Sequence, residues 1–95
     1  MDDHNINFQK IAASLRSKSA FLAEWEGKPD YKLVQTQETY NSNYMVIRDG
    51  RLVLWARTVT GNSGNLFIHP REELVARMGE AEITNLEEGL KAAGH

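Results

Sequence analysis

The sequence predicts a small α+β domain in which an N-terminal helix packs on a four-stranded antiparallel meander, followed by one or two short C-terminal helices. Three observations predict this class: apolar residues at helical spacing near the N-terminus, an Asp-Gly turn inside a strand-forming run, and helix-capping residues in the last third. The chain has 95 residues, of which 41% are hydrophobic, and this size fits one domain. We therefore interpret residues 1–95 as a single domain, and we expect residues 1–5 to be disordered and residues 94–95 to be frayed.

The N-terminal segment has the apolar spacing of an amphipathic helix. Between Asn5 and Glu26 the apolar positions lie on one helical stripe: Phe8, Ile11, Leu15, Leu22 and Trp25. We favour one helix over this range; the alternative is two shorter helices with Ser19 capping the second, because polar residues 17–19 interrupt the stripe. Gly27 and Pro29 end the helix, since glycine suits a C-terminal cap and proline cannot continue the hydrogen-bond ladder.

Asp49 and Gly50 predict a tight turn at the centre of the chain. They lie midway along Asn43–Thr60, a run of strand-forming residues, and a two-residue Asp-Gly turn is a strong hairpin signal. The turn sets the register of the two strands: Arg48 faces Arg51, Ile47 faces Leu52, Val46 faces Val53, Met45 faces Leu54, and Tyr44 faces Trp55.

This register predicts a hairpin with two different faces, because side chains alternate along a strand. One face is aliphatic, with Met45, Ile47, Leu52, Leu54 and Ala56. The other is aromatic and basic, with Tyr44, Val46, Arg48, Arg51, Val53, Trp55 and Arg57.

Two further strands complete the predicted meander. Tyr31–Thr36 alternates in the manner of a half-buried strand, and a turn follows at residues 41–43. Residues 61–64, Gly-Asn-Ser-Gly, predict a flexible connection that leads to a short fourth strand, Leu66–Ile68.

Two short helices are predicted after the sheet. Pro70 suits the first position of a helix that carries three apolar residues and ends at Gly79. Those apolar residues are Leu74, Val75 and Met78. Thr84 followed by Glu87 has the spacing of a capping box, which predicts a last helix that carries Leu86 and Leu90 and stops at Gly94.

The composition and the motifs argue against several function classes. The chain has no cysteine, which excludes disulfides, thiolate metal sites and cysteine nucleophiles. His4, His69 and His95 are far apart in sequence, and the C-terminal glutamates are typical of a solvated helix face. We find no catalytic, metal or cofactor motif, no signal peptide and no membrane span. We therefore expect a non-enzymatic cytosolic protein that needs no cofactor.

The aromatic and basic hairpin face is the predicted binding site. Tyrosine, tryptophan and arginine are enriched at binding hot spots, so the candidate partner-binding residues are Tyr44, Arg48, Arg51, Trp55 and Arg57. The predicted partner is an acidic protein surface, and the chain is interpreted as an inhibitor, an adaptor or a regulatory protein. The alternative without binding is that Tyr44 and Trp55 pack in the core while the arginines snorkel or pair with Glu38 or the acidic C-terminal segment.

Two other functions remain open at this level. The same face could bind a nucleotide or single-stranded nucleic acid by stacking on bases and contacting phosphates, although the net charge of −2 argues against it. A homodimer joined through the sheet is the third hypothesis.

Overall fold

The computed structural model describes residues 14–37, 42–59 and 62–95, and within these ranges the chain forms five strands and three helices. In chain order they are β1 (Ser14–Ser17), α1 (Lys18–Glu26), β2 (Lys32–Gln37), β3 (Ser42–Arg48), β4 (Arg51–Val59), β5 (Asn62–Pro70), α2 (Arg71–Met78) and α3 (Glu80–Ala92). The predicted α+β class is confirmed.

The five strands form one antiparallel sheet in the order β1-β5-β4-β3-β2. Strands β2 to β5 are consecutive neighbours, which is the predicted four-stranded meander. Strand β5 is longer than the predicted Leu66–Ile68 and includes three of the four residues expected to form a flexible connection. The fourth, Gly61, lies outside the described residues, as does Asn41 of the preceding predicted turn.

Strand β1 corrects the prediction of one helix from Asn5 to Glu26. Residues 14–17 pair with β5, with Ser14 opposite Ile68 and Ser17 opposite Asn65. Leu15 therefore lies on an edge strand, 61% exposed, and not on a helical stripe. Apolar spacing alone could not exclude a strand here, because a short segment can pair wherever a sheet offers a free edge. The part of the predicted helix before residue 14 and the predicted disorder of residues 1–5 lie outside the described residues.

Ser17 begins helix α1. Its side-chain oxygen accepts a hydrogen bond from the backbone N–H of Ala20 at 3.2 Å, so Ser17 is the N-cap where the sequence suggested Ser19. Gly27 is the C-cap, as predicted. Phe21, on the side of α1 that faces the sheet, is fully buried.

The central hairpin turns as predicted but contains a β-bulge. Asp49 and Gly50 both have positive φ, 53° and 78°, which is the geometry that the Asp-Gly pair favours. The first two predicted pairs, Arg48 with Arg51 and Ile47 with Leu52, are confirmed.

The register then shifts by one residue between Val46 and Ile47. Val46 faces Leu54, Met45 faces Trp55 and Tyr44 faces Ala56, so the three predicted pairs beyond Leu52 are wrong. Because side chains alternate along a strand, the extra residue moves Trp55 and Arg57 to the opposite face from the predicted one.

Helices cover both faces of the sheet, and each face has its own apolar cluster. The α1-side cluster contains Phe21, Tyr44, Val46, Ala56, Leu66 and Ile68. The cluster under α2 and α3 contains Val34, Met45, Ile47, Leu52, Leu74, Ile83 and Leu90. The predicted aliphatic face is therefore divided, with Met45, Ile47 and Leu52 on one side of the sheet and Ala56 on the other.

Helix α2 carries the predicted apolar residues, and Pro70 is its N-cap where the sequence suggested its first position. Gly79, at φ 96°, separates it from α3. Helix α3 begins at Glu80, so Thr84 lies inside it and the predicted capping box is wrong. Gly94 follows the last turn of α3 with φ 92°, close to the predicted stop.

Candidate functional site

The bulge separates the two aromatic residues of the predicted site. Tyr44 is only 2% exposed, and its ring lies 6.0 Å from that of Phe21 on the α1 side. Trp55 lies on the opposite face, where it packs against the cluster under α2 and α3 and its indole N–H donates to Asn43 Oδ1 at 3.2 Å. The prediction that both rings share one open face is therefore wrong.

Arg57 lies with Trp55 and not with the other two arginines. It is two residues further along β4, so it shares the face of Trp55. Phe67 of β5 is its cross-strand neighbour, and the guanidinium carbon lies 5.2 Å from the centre of that ring. Arg57 is thus half-buried, and its guanidinium stacks on the Phe67 ring of the same sheet.

Arg48 and Arg51 remain together at the turn, as predicted. They are directly paired across β3 and β4, so their side chains leave the same face of the sheet. Both residues are exposed, and 52% of the Arg48 side chain is accessible. Two of the five predicted site residues therefore form a common surface.

Tyr31 orients the Arg48 guanidinium. Nη1 of Arg48 donates a hydrogen bond to the Tyr31 hydroxyl at 3.0 Å, and the guanidinium carbon lies 5.2 Å from the ring centre. Nε lies 3.9 Å from a carboxylate oxygen of Asp49. The hydrogen bond to Tyr31 is the main cause that raises the pKa of Arg48 above its ordinary value, and that bond together with the ring contact holds the guanidinium in position.

Trp25 and Lys28 extend this arrangement along the surface. The rings of Trp25 and Tyr31 meet edge to face at 5.1 Å, and Nζ of Lys28 lies 5.2 Å from the centre of the Trp25 ring. The turn after α1 holds them, since Lys28 N–H donates to Trp25 O and Tyr31 N–H donates to Lys28 O. The two rings, of Trp25 and Tyr31, thus lie in a row between two cations, Lys28 and Arg48.

Sequence reasoning missed Trp25, Lys28 and Tyr31 as site residues. Trp25 lies on the apolar stripe of a helix, which usually indicates a core position. The signal that would have found Tyr31 is the pairing of β2 with β3: Lys32 faces Ile47, so the preceding Tyr31 comes beside Arg48. That register depends on contacts between distant parts of the chain.

Two further lysines come to the same end of the molecule from the other side of the sheet. Lys91 of α3 lies over the Asp49-Gly50 turn. A Cβ atom placed on Gly50 would be only 2.5 Å from Cε of Lys91. Lys32 Nζ donates to the backbone oxygen of Gly94 at 3.1 Å. We call Lys28, Lys32, Arg48, Arg51 and Lys91 the basic end. Among the described carboxylates, Asp49 and Asp30 interact electrostatically with Arg48, and Glu87 interacts with Arg51.

Glu87 anchors the hairpin beside the basic end. The β4·β5 pairing stops where Leu54 faces Pro70, so the Leu52 amide lies beyond the end of the ladder. A carboxylate oxygen of Glu87 accepts that N–H at 2.6 Å, and Glu87 also accepts hydrogen bonds from Nε and Nη2 of Arg71 at 3.1 and 3.2 Å. Only 6% of Glu87 is exposed, so the prediction of a solvated glutamate is wrong at this position.

The ionised state of Glu87 is stabilised although it is buried. Burial by itself raises the pKa of this carboxyl, but the hydrogen bonds from Arg71 and from the Leu52 amide outweigh it and lower the pKa below the ordinary value. The charged carboxylate thus joins β4, α2 and α3 and fixes the base of the hairpin that carries Arg48 and Arg51.

The basic end offers hydrogen-bond donors and ring edges, which is the chemistry of recognition. In the described ranges no three histidine or carboxylate side chains are placed to hold a metal ion. None of the helices within these ranges is long and apolar enough to cross a membrane.

Comparison with protein-family models, with curated proteins and with solved structures found no match to this chain.

Proposed function

We propose that this chain is a non-enzymatic protein-binding module, of the inhibitor, adaptor or regulatory type, whose basic end docks on an acidic protein surface. The observation that carries the proposal is the convergence of five cations, from the turn after α1 and from β2, β3, β4 and α3, in a chain of net charge −2. The described residues outside the basic end include more acidic than basic side chains, so the charge is asymmetric and would steer and orient a partner.

Several cations of the basic end are already ordered before any partner binds. Arg48 is held by Tyr31, Lys28 lies over Trp25, and Lys91 lies over Gly50. Immobilising a flexible charged side chain on binding costs about 0.5–1.5 kcal/mol, so pre-ordering these groups favours affinity. Exposed arginine beside tyrosine and tryptophan also matches the composition of binding hot spots.

The geometry favours a protein partner over the nucleic-acid hypothesis. Tyr44 is buried, and Trp55 lies on the other face of the sheet, so one strand of bases cannot stack on both rings. The rings that do lie at the basic end, Trp25 and Tyr31, are already contacted by Lys28 and Arg48. An acidic protein surface needs only the cations, of which Lys32, Arg48, Arg51 and Lys91 are exposed.

Arginine substitution tests the proposal. With poly-glutamate as the acidic probe, we expect Arg48→Ala and Arg51→Ala each to weaken binding about three- to tenfold, while unfolding free energies stay within about 0.5 kcal/mol of the unsubstituted protein. Arg77→Ala is the matched control, because Arg77 is an exposed arginine of α2 outside the basic end. Equal weakening by Arg77→Ala would mean that binding follows net charge and would contradict the proposal.

Two further measurements distinguish the other hypotheses. Tighter binding of short single-stranded oligonucleotides than of poly-glutamate, weakening steeply with salt, would favour nucleic acid. Sedimentation at high protein concentration tests the homodimer. The cytosolic location stays a prediction.

A further inference from the structure

The directly paired arginines are the most specific part of the basic end. Arg48 and Arg51 face each other next to the turn, and like charges opposite each other disfavour a strand pair. Tyr31 and Asp49 partly compensate Arg48. Among the residues that the structure describes, the Arg51 guanidinium donates no hydrogen bond and forms no ion pair within 4 Å, although its charge interacts with that of Glu87. The pair therefore has hydrogen-bond donors that the described part of the chain does not use.

The number of acceptor oxygens distinguishes the ligands that could use this pair. A carboxylate has two oxygens and one charge, and one guanidinium fork can satisfy both oxygens. A phosphoryl group on a side chain has three acceptor oxygens and a charge close to −2, so it matches two guanidinium groups. The fixed Arg48 supplies one fork, and Arg51 supplies the second from the neighbouring strand.

We propose that Arg48 and Arg51 form a clamp for one phosphoryl group, carried on a phosphorylated side chain of the acidic protein partner. This inference rests on the proposed function, because it names the chemical group at the centre of the same docking surface. Tyr31 acts as a positioning residue, since its hydroxyl accepts from Nη1 of Arg48, while Nη2 donates to no described residue. Lys28, on the α1 side of the sheet, and Lys91, over the turn, contact the acidic residues that flank the phosphoryl group.

The test uses three acidic peptides of identical sequence whose central residue is serine, phosphoserine or glutamate. We expect the phosphoserine peptide to bind the full chain about tenfold more tightly than the glutamate peptide, by fluorescence anisotropy. Arg48→Lys and Arg51→Lys keep the charge but remove the planar fork, so each should abolish this preference while changing glutamate-peptide affinity less than about threefold. Arg77→Lys is the control and should keep the preference.

The alternative outcomes separate this inference from the proposed function. Equal affinity for the phosphoserine and glutamate peptides, or a preference that survives both lysine variants, would overturn the clamp but leave the acidic docking surface intact. Inorganic phosphate that binds as tightly as the phosphoserine peptide would show a site for the free ion and overturn the assignment to a partner side chain. No measurable binding of any of the three peptides would overturn both proposals.

Discussion

Replacing Glu87 by alanine should destabilise the protein strongly, because this buried carboxylate is shared by three elements. The substitution removes the acceptor of the Leu52 amide and the ion-pair partner of Arg71 in one step. Removing one partner of a buried ion pair costs about 3–5 kcal/mol, and leaving a backbone N–H unsatisfied contributes to that loss. Arg71 is partly accessible and keeps its contact with Glu80 at 2.9 Å, so the lower end, about 3 kcal/mol, applies.

Urea unfolding followed by circular dichroism measures this loss directly. For a domain of this size, about 3 kcal/mol corresponds to a fall in melting temperature of about 12–24 °C. Glu88→Ala is the matched control, since the neighbouring Glu88 is exposed on the same helix and should change stability by less than about 0.5 kcal/mol. Similar effects of the two substitutions would refute the anchoring role of Glu87.

The same variant gives a prediction for the pH dependence of stability. The pKa of Glu87 is lower in the folded protein than its ordinary value of 4.5, so the unfolded chain binds this proton more readily. The stabilisation by Glu87 is therefore complete well above pH 4.5 and is lost as the pH falls through the lower, folded pKa. The difference in unfolding free energy between the unsubstituted protein and Glu87→Ala should shrink on acidification. A difference that stays constant down to pH 3 would contradict this.

Four further substitutions test how the elements form. Trp55→Ala should cost about 3 kcal/mol in urea unfolding, because the indole packs under the C-terminal helices; a loss below about 1 kcal/mol would mean that Trp55 is a surface residue. Gly50→Ala should destabilise by about 1 kcal/mol or more, since φ is positive and the new methyl group would meet Lys91, whereas Gly89→Ala, in open space on α3, should stabilise by about 0.5–1 kcal/mol. A melting temperature that changes equally for both glycine variants would be inconsistent with this backbone. Ser17→Ala should cost about 1 kcal/mol through loss of the N-cap, and no change in melting temperature would place the start of α1 elsewhere.

Local chemistry predicted the features that depend on a few adjacent residues. The Asp49-Gly50 turn, the end of α1 at Gly27 and the end of α2 before Gly79 all follow from backbone preferences of glycine and its neighbours. The same preferences predicted the pairs next to the turn, where the turn itself controls the register.

Features that depend on contacts between distant parts of the chain could not be predicted from the sequence. The bulge beyond Leu52 has no local signature, because valine suits a regular strand as well as a bulged one. Strand β1 exists because β5 offers it an edge, and Glu87 is buried because the Leu52 amide lies beyond the sheet ladder. Within α3, Glu87 has the spacing of a capping-box residue relative to Thr84. No residue near Glu87 in sequence indicates its hydrogen-bond partner, the Leu52 amide on β4.

The single extra residue of the bulge also decides which surface can bind a partner. Without it, Trp55 and Arg57 would lie beside Arg48 and Arg51, and the open face would be a broad aromatic and basic sheet. With it, Trp55 supports the packing of α2 and α3, and the exposed arginines of the hairpin are confined to its turn. Two arginines close together at the turn suit a single acidic or phosphorylated side chain of a partner better than a broad basic sheet face would. The bulge in β4 is thus linked to the kind of partner proposed.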